Sequence, residues 1–188
     1  MNISLLVLIG AVVIIVFYGI SIYNRLVSLR NNRENAFADI DVQLRQRHDL
    51  IPQLVESVKG YMKHEEGVLT RVTEARTRAV NAVSIDDKIT SEKELSAALR
   101  GLNIQVEAYP DLKANQNFMQ LQEEIADVEN KLAASRRFFN SATKELNVGV
   151  QKFPNNIIAG MFGFRTASMF DLGETDRKTM EKAPEIKF

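Results

Sequence analysis

The chain has 188 residues, with 24 basic and 24 acidic side chains and with neither cysteine nor tryptophan. This length suits one medium-sized domain, and the zero net charge argues against a nucleic-acid-binding protein, which typically carries a basic excess. The absence of cysteine excludes disulfides, cysteine-ligated metal clusters and a thiol nucleophile.

The N-terminal segment from Ile3 to Ile22 contains no charged residue. As a helix this segment is about 30 Å long, which matches the hydrocarbon thickness of a bilayer, and in lipid the backbone must satisfy its own polar groups. A cleaved signal peptide would instead need a basic start, a shorter apolar core and a small-residue cleavage site. We therefore predict a permanent transmembrane anchor over residues 1–23, with the lipid bilayer as a partner.

The charges that flank this segment predict its orientation. No Lys or Arg precedes it, whereas Arg25, Arg30 and Arg33 follow it. Because positively charged flanks stay on the cytoplasmic side, we expect a single-pass protein with its N-terminus outside and its body in the cytoplasm.

Apolar residues after the anchor recur at steps of three and four, the spacing of an amphipathic helix with one buried face. We expect the anchor to continue straight into this helix, and the helical pattern extends to about Val83. Pro52 leaves two alternatives open: a new helix capped by Asp49, or one helix that runs on with a kink. The apolar positions are Leu26, Leu29, Phe37, Ile40, Leu44, Ile51, Val55, Val58 and Met62, with Arg33 and His48 interrupting them.

Two further amphipathic helices are predicted in the second half of the chain. Residues 84–91 form a polar connector in this prediction, after which Ser91 and Glu94 fit a capping box. One helix then ends near Pro110, and a longer one follows. Short connectors favour antiparallel packing, and no period-two pattern indicates a sheet. We therefore predict an all-α fold in which an antiparallel four-helix-type bundle spans residues 24–153 and an apolar, Gly-containing segment with a polar tail spans 154–188.

Several stretches of the body are distinctive, namely Tyr23–Val27, Glu34–Pro52, Val58–Tyr61, Tyr109–Asn115 and Phe153–Pro154. Together they resemble the LemA family of bacterial membrane proteins over nearly the whole body. The resemblance implies an N-terminal anchor, an antiparallel four-helix bundle and no known reaction, and we expect the bacterial inner membrane as the location. A link to a membrane-stress metalloprotease is suggested for such proteins, which makes a membrane protease a candidate partner.

No pattern in the sequence indicates catalysis, a metal or a cofactor. The two histidines, His48 and His64, lack the Glu-x-x-His spacing of metal-binding bundles, because Arg45 and Tyr61 stand three residues before them. Neither a nucleophile elbow nor a phosphate-binding loop is present. We therefore expect a protein that is not an enzyme, with His48 as a structural residue bonded to the backbone or to Asp49.

Polar side chains of the helices give two further expectations. Arg45 and Asp49 stand four residues apart in a charged run, which is either a solvated helix face or a self-association seam whose alternating charges set the register. Asparagine is a poor helix former, so some Asn residues of the helical segments are expected to cap connectors, and any that point inward are expected to join a buried polar layer that sets the register. These are Asn35, Asn103, Asn115, Asn117, Asn130 and Asn140.

The segment from Phe153 to Phe164 is apolar, contains glycine and carries no charge. It is expected to pack onto its own bundle or, alternatively, to insert into a groove of a neighbouring subunit or into the membrane surface. The C-terminal end is expected to add to a partner as a short strand. The candidate docking residues of these two segments are Ile157, Ile158, Met161, Phe162, Phe164, Ile186 and Phe188.

The pairing of a bilayer-length anchor with a body that lacks catalytic motifs predicts an interaction protein. We expect a membrane-anchored helical scaffold that self-associates into a homo-oligomer at the membrane and presents a docking surface. The alternative is an adaptor or regulator of a membrane protease or an envelope-stress system, which would co-purify with a membrane enzyme and form no assembly of its own.

Overall fold

A computed structural model describes residues 2–62 and 64–171 of the chain. The described part is helical and contains no strand, which confirms the all-α prediction. It forms two compact units, which we call the anchor unit (residues 2–40 and 135–169) and the bundle unit (residues 41–134 with 170–171). The helices are α1 (Ile3–Lys59), α2 (Glu66–Asn81), α3 (Ile85–Val106), α4 (Pro110–Lys113), α5 (Gln116–Gln151) and α6 (Asn155–Phe162).

Helix α1 is continuous over 57 residues, a length of about 85 Å. Its most apolar 18-residue window has a mean hydropathy of 2.9 and no buried residue, so this helix is long and apolar enough to cross a membrane. The expected continuity of the anchor with the first body helix is therefore confirmed. Pro52 lies inside α1, which shows that the helix runs on past the proline.

The helical pattern does not continue to Val83 without interruption as predicted, because α1 ends at Lys59 and α2 begins at Glu66. Gly60 has low helix propensity, and the positive charge of Lys59 suits the end of a helix. Glu65, in the connection between the two helices, accepts a hydrogen bond at its Oε1 from the Tyr109 hydroxyl at 2.6 Å.

The start of α3 also differs from the prediction. The helix begins at Ile85, and its cap is Ser84: the Asp87 N–H donates to Ser84 Oγ at 3.0 Å, and Ser84 Oγ donates to Asp87 Oδ2 at 2.6 Å. Ser91, the expected cap, lies inside the helix and donates to the Asp87 carbonyl at 2.8 Å. Both serines precede an acidic residue by three positions, so local spacing alone could not choose between them.

The bundle unit packs four helical segments around one core: α1 from residue 41 onward, α2, α3 and α5 up to residue 134. Asn115 Nδ2 donates to the Tyr61 hydroxyl at 3.1 Å, which joins the α1–α2 connection to the α4–α5 connection at one end. Lys88 pairs with Asp41 at the other end. Successive segments therefore run antiparallel, as predicted. The fully buried side chains of this core include Ile51, Val58, Met62, Val72, Leu95, Leu102, Leu112 and Phe118.

The anchor unit pairs the earlier part of α1 with the later part of α5. The rings of Phe37 and Phe139 meet edge to face, with centroids 5.5 Å apart. Further along, Gly149 lets the two helices approach closely, since a Cβ at this position would lie 2.7 Å from Leu29 Cδ1. Helix α6 follows on the same unit and packs against the α1 side chains Ile22 and Leu26.

Candidate functional site

A buried charged cluster lies in the bundle unit and centres on Arg47, whose side chain is 3% exposed. Arg47 Nη1 donates to Glu92 Oε2 at 3.1 Å, and Arg47 Nη2 donates to Glu129 Oε1 at 3.0 Å. Both nitrogens also donate to Ser96 Oγ, at 3.2 and 3.1 Å. The guanidinium thus links α1, α3 and α5 through charge-assisted hydrogen bonds, which are stronger than neutral ones.

His48 belongs to the same cluster, and its partner differs from the expected one. Its Nε2 lies 2.5 Å from Glu92 Oε1, so the histidine bonds to a carboxylate of α3 rather than to Asp49 or the backbone. The His48 carbonyl in turn accepts from Arg76 Nε on α2 at 2.7 Å. Glu92 is 1% exposed and is held on both oxygens, which satisfies a charge that would otherwise be costly to bury.

The buried polar layer of the bundle unit consists of these charged residues and not of asparagines. Asn115 fulfils the other expectation, because its Oδ1 accepts from the Phe118 N–H at 3.1 Å and caps α5. Sequence reasoning missed Glu92 and Ser96. The available signal was their position among the apolar residues of α3, one turn apart on its buried face.

The charged cluster consists of hydrogen bonds and ion pairs between side chains of three helices. Within residues 2–62 and 64–171, no three His, Asp or Glu side chains are grouped closely enough to hold a metal ion. The cluster instead places a fixed set of donors and acceptors on three helices, and such a layer specifies how the helices align.

Arg45 and Asp49, which the sequence leaves as either a solvated face or a self-association seam, lie on the exposed side of α1. Arg45 Nε and Nη2 donate to Asp41 Oδ2 at 3.1 and 2.8 Å, while the side chain of Arg45 stays 78% exposed. Burial works to raise the pKa of Asp41, but the hydrogen bonds from Lys88 and Arg45 outweigh it and hold this pKa below its ordinary value. Asp49 borders a shallow cleft of about 330 Å³ between α1 and α5.

The apolar segment of the anchor unit forms α6, whose two faces have different surroundings. Ala159 is buried, and the half-buried Ile158 packs on the same cluster. On the other side Ile157 and Met161 are 53% and 72% exposed, whereas Phe162 contacts the Tyr23 ring and is 59% exposed. The packing of the segment onto its own unit is thus observed for one face only.

The end of α6 and the residues after it pack against α1. Gly163 adopts a φ of +74°, the left-handed region that glycine tolerates, and the Phe164 N–H donates to the Ala159 carbonyl at 2.9 Å. The chain then turns back, so that the Tyr23 ring meets Phe162 at 4.8 Å and Phe164 at 5.7 Å between centroids. The Arg30 guanidinium lies 5.3 Å from the centre of the Phe164 ring.

A cleft of about 610 Å³ opens between α1 and α5 beside the start of α6. Arg25, Lys144 and Lys152 line it together with apolar and aromatic side chains such as Tyr18 and Val148. This cleft is cationic, with Glu145 as its one acidic lining residue. The remaining candidate docking residues, Ile186 and Phe188, lie outside the described residues.

A helix long and apolar enough to span a bilayer, continuous with a body of packed helices, is typical of a membrane protein with an all-α fold. The LemA family model matches residues 36–188, and the chain belongs to that family, which confirms the resemblance. It is not a known enzyme family.

Relatives with curated names agree with this assignment. Protein LemA of Metamycoplasma hominis is 30% identical over 158 residues, which cover 82% of this chain and 71% of that protein. The magnetosome proteins MamQ 1 of Paramagnetospirillum magneticum and MamQ of Magnetospirillum gryphiswaldense are each 21% identical over 79% of this chain. The match spans 64% of each MamQ protein, slightly less than two thirds of its length.

Proposed function

We propose that this protein is a membrane-anchored helical scaffold, without catalytic activity, that self-associates at the bacterial inner membrane with its body in the cytoplasm. The observation that carries the proposal is α1, which runs unbroken from an apolar, unburied segment into the packed body. Such a helix would attach the body to the membrane through its apolar first part, and the surface of the body would then be free to bind a partner.

The exposed face of α1 supplies the surface for self-association in this proposal. Arg45 and Asp49 are both exposed and lie one turn apart, and Asp49 makes no ion pair within the described residues. A surface with adjacent opposite charges is complementary to its own copy, so the arginine of one subunit can pair with the aspartate of the next. Charge pairs of this kind select the partner and the register more than they add affinity.

Charge reversal tests this surface directly. In mild detergent, full-length wild-type protein should form an oligomer by light scattering, and Arg45→Asp or Asp49→Arg alone should shift it towards monomer. The double variant that exchanges both charges should restore the oligomer. Arg78→Asp is the matched control, because Arg78 is also an exposed arginine in an ion pair, with Glu94 at 3.0 Å.

A strictly monomeric wild-type protein would refute self-association. If that monomer co-purified with a membrane protease, the adaptor function would be favoured instead. Orientation is tested separately with a tag after Phe188, which should resist protease added to intact cells if the body is cytoplasmic.

A further inference from the structure

Helix α6 belongs to a segment with the composition of a membrane-interface helix. From Phe153 to Phe164 there is no charged residue, while Lys152 precedes the segment and Arg165 follows it. Helices that lie at the surface of a bilayer combine an apolar face with flanking cations that reach the headgroups. The composition of this segment therefore suits the boundary between lipid and water.

The position of α6 on the chain's own anchor supports the same placement. A Cβ at Gly19 would lie 3.8 Å from Ile158 Cδ1, and Tyr23 packs against Phe162. Gly19 stands three residues before Ile22, where the apolar run ends, which corresponds to about 4.5 Å along the helix axis. The middle of α6 is thus level with the last turn of the membrane-spanning segment.

The outward face of α6 is apolar and has no cover within the described part of its unit. Ile157 and Met161 lie one turn apart on this face and are 53% and 72% exposed. The most apolar 18-residue window of α1 is likewise unburied. The exposed face of α6 therefore lies beside the apolar surface of α1 that lipid would cover in the proposed anchor. Apolar side chains at this depth are more stable out of water.

We propose that α6 lies in the bilayer interface beside the span, with Ile157 and Met161 among the acyl chains. The cationic cleft next to it, with Arg25, Lys144 and Lys152, faces anionic headgroups. The inference rests on the proposed anchor, and it assigns the α6 face to lipid and leaves self-association to the Arg45–Asp49 face of α1.

The absence of tryptophan from the chain makes a direct test available, since each introduced tryptophan is the sole reporter. Full-length Met161→Trp is reconstituted in vesicles of phosphatidylcholine and phosphatidylglycerol whose acyl chains carry bromine, a contact quencher, at shallow or deep positions. Val12→Trp, in the middle of the span, is the positive control. Phe138→Trp, an exposed aromatic position of α5 in the same unit, is the matched negative control.

Tryptophan at position 161 should be quenched, and more strongly by shallow than by deep bromine, because interfacial helices lie about 5–10 Å into the headgroup and acyl boundary. Position 12 should show the opposite depth order, and position 138 should keep its emission. Loss of quenching at 161 with quenching at 12 intact would overturn the placement of α6 and leave the anchor standing.

Other outcomes are equally decisive. A blue-shifted but unquenched reporter at 161 would place the face against protein, which also overturns the inference. Equal quenching at 138 and 161 would show that the whole unit lies on the membrane, with no local insertion of α6. Loss of quenching at position 12 would refute the anchor itself.

Discussion

Removal of one charge from the buried cluster of the bundle unit should cost more stability than removal of two. Arg47→Met deletes four hydrogen bonds and leaves Glu92, which is 1% exposed, with His48 as its remaining described partner. Breaking a buried ion pair in this way costs about 3–5 kcal/mol, so we expect about 4 kcal/mol. Glu92→Met should cost about 3 kcal/mol, because Arg47 retains Ser96 and the half-exposed Glu129.

The double variant Arg47→Met/Glu92→Met carries neither buried charge, and methionine fills most of both volumes. Its main remaining cost is the unpaired His48 Nε2, about 1–3 kcal/mol for a buried polar group without a partner, beside Ser96 Oγ, which loses both donors from Arg47. We therefore expect a loss of about 2 kcal/mol for the double variant, which makes it more stable than either single variant. The physical reason is that an uncompensated buried charge costs more than a replaced pair.

Urea denaturation of the detergent-solubilised chain, followed by far-ultraviolet circular dichroism, measures these free energies of unfolding. Arg78→Met, which removes an exposed arginine from its ion pair with Glu94, should cost less than about 1 kcal/mol and serves as control. If the losses of the two single variants simply added in the double variant, the argument from the buried Arg47–Glu92 pair would be refuted.

Two further predictions concern one residue of each unit, Asp41 of the bundle unit and Gly149 of the anchor unit. Asp41→Asn should cost about 1 kcal/mol at neutral pH, because it loses its pairs with Lys88 and Arg45. The fold lowers the pKa of Asp41, so this stabilisation is present above the ordinary value of 3.8 and is lost as pH falls through the lowered pKa. Denaturation curves of the variant and the wild type should therefore converge in acid. Gly149→Leu should destabilise the anchor unit by about 1–3 kcal/mol, since even a Cβ there would lie 2.7 Å from Leu29 Cδ1, and thermal unfolding in detergent should show a lower midpoint.

Much of the architecture could be predicted because it depends on local pattern. The uncharged run from Ile3 to Ile22 and the apolar stripe that follows it predicted one continuous helix whose first part is long and apolar enough to cross a membrane. Leu26, Ile40 and Met62 of that stripe are buried, as its spacing predicted. Helix ends were predicted less well: the spacing of Ser91 and Glu94 imitates a cap, and Gly60 is a weak stop signal on its own.

Only the tertiary structure decided which partners meet. His48 and Glu92 are 44 positions apart, and no periodicity within a helix says which carboxylate of another helix a buried histidine will face. The composition of α6 likewise determined that the segment is apolar, but the packing of Ala159 against α1 decided which of its faces is covered and which is left exposed. The reason is physical: helix formation follows from neighbours three and four positions away, whereas burial depends on surfaces that only the folded chain brings together.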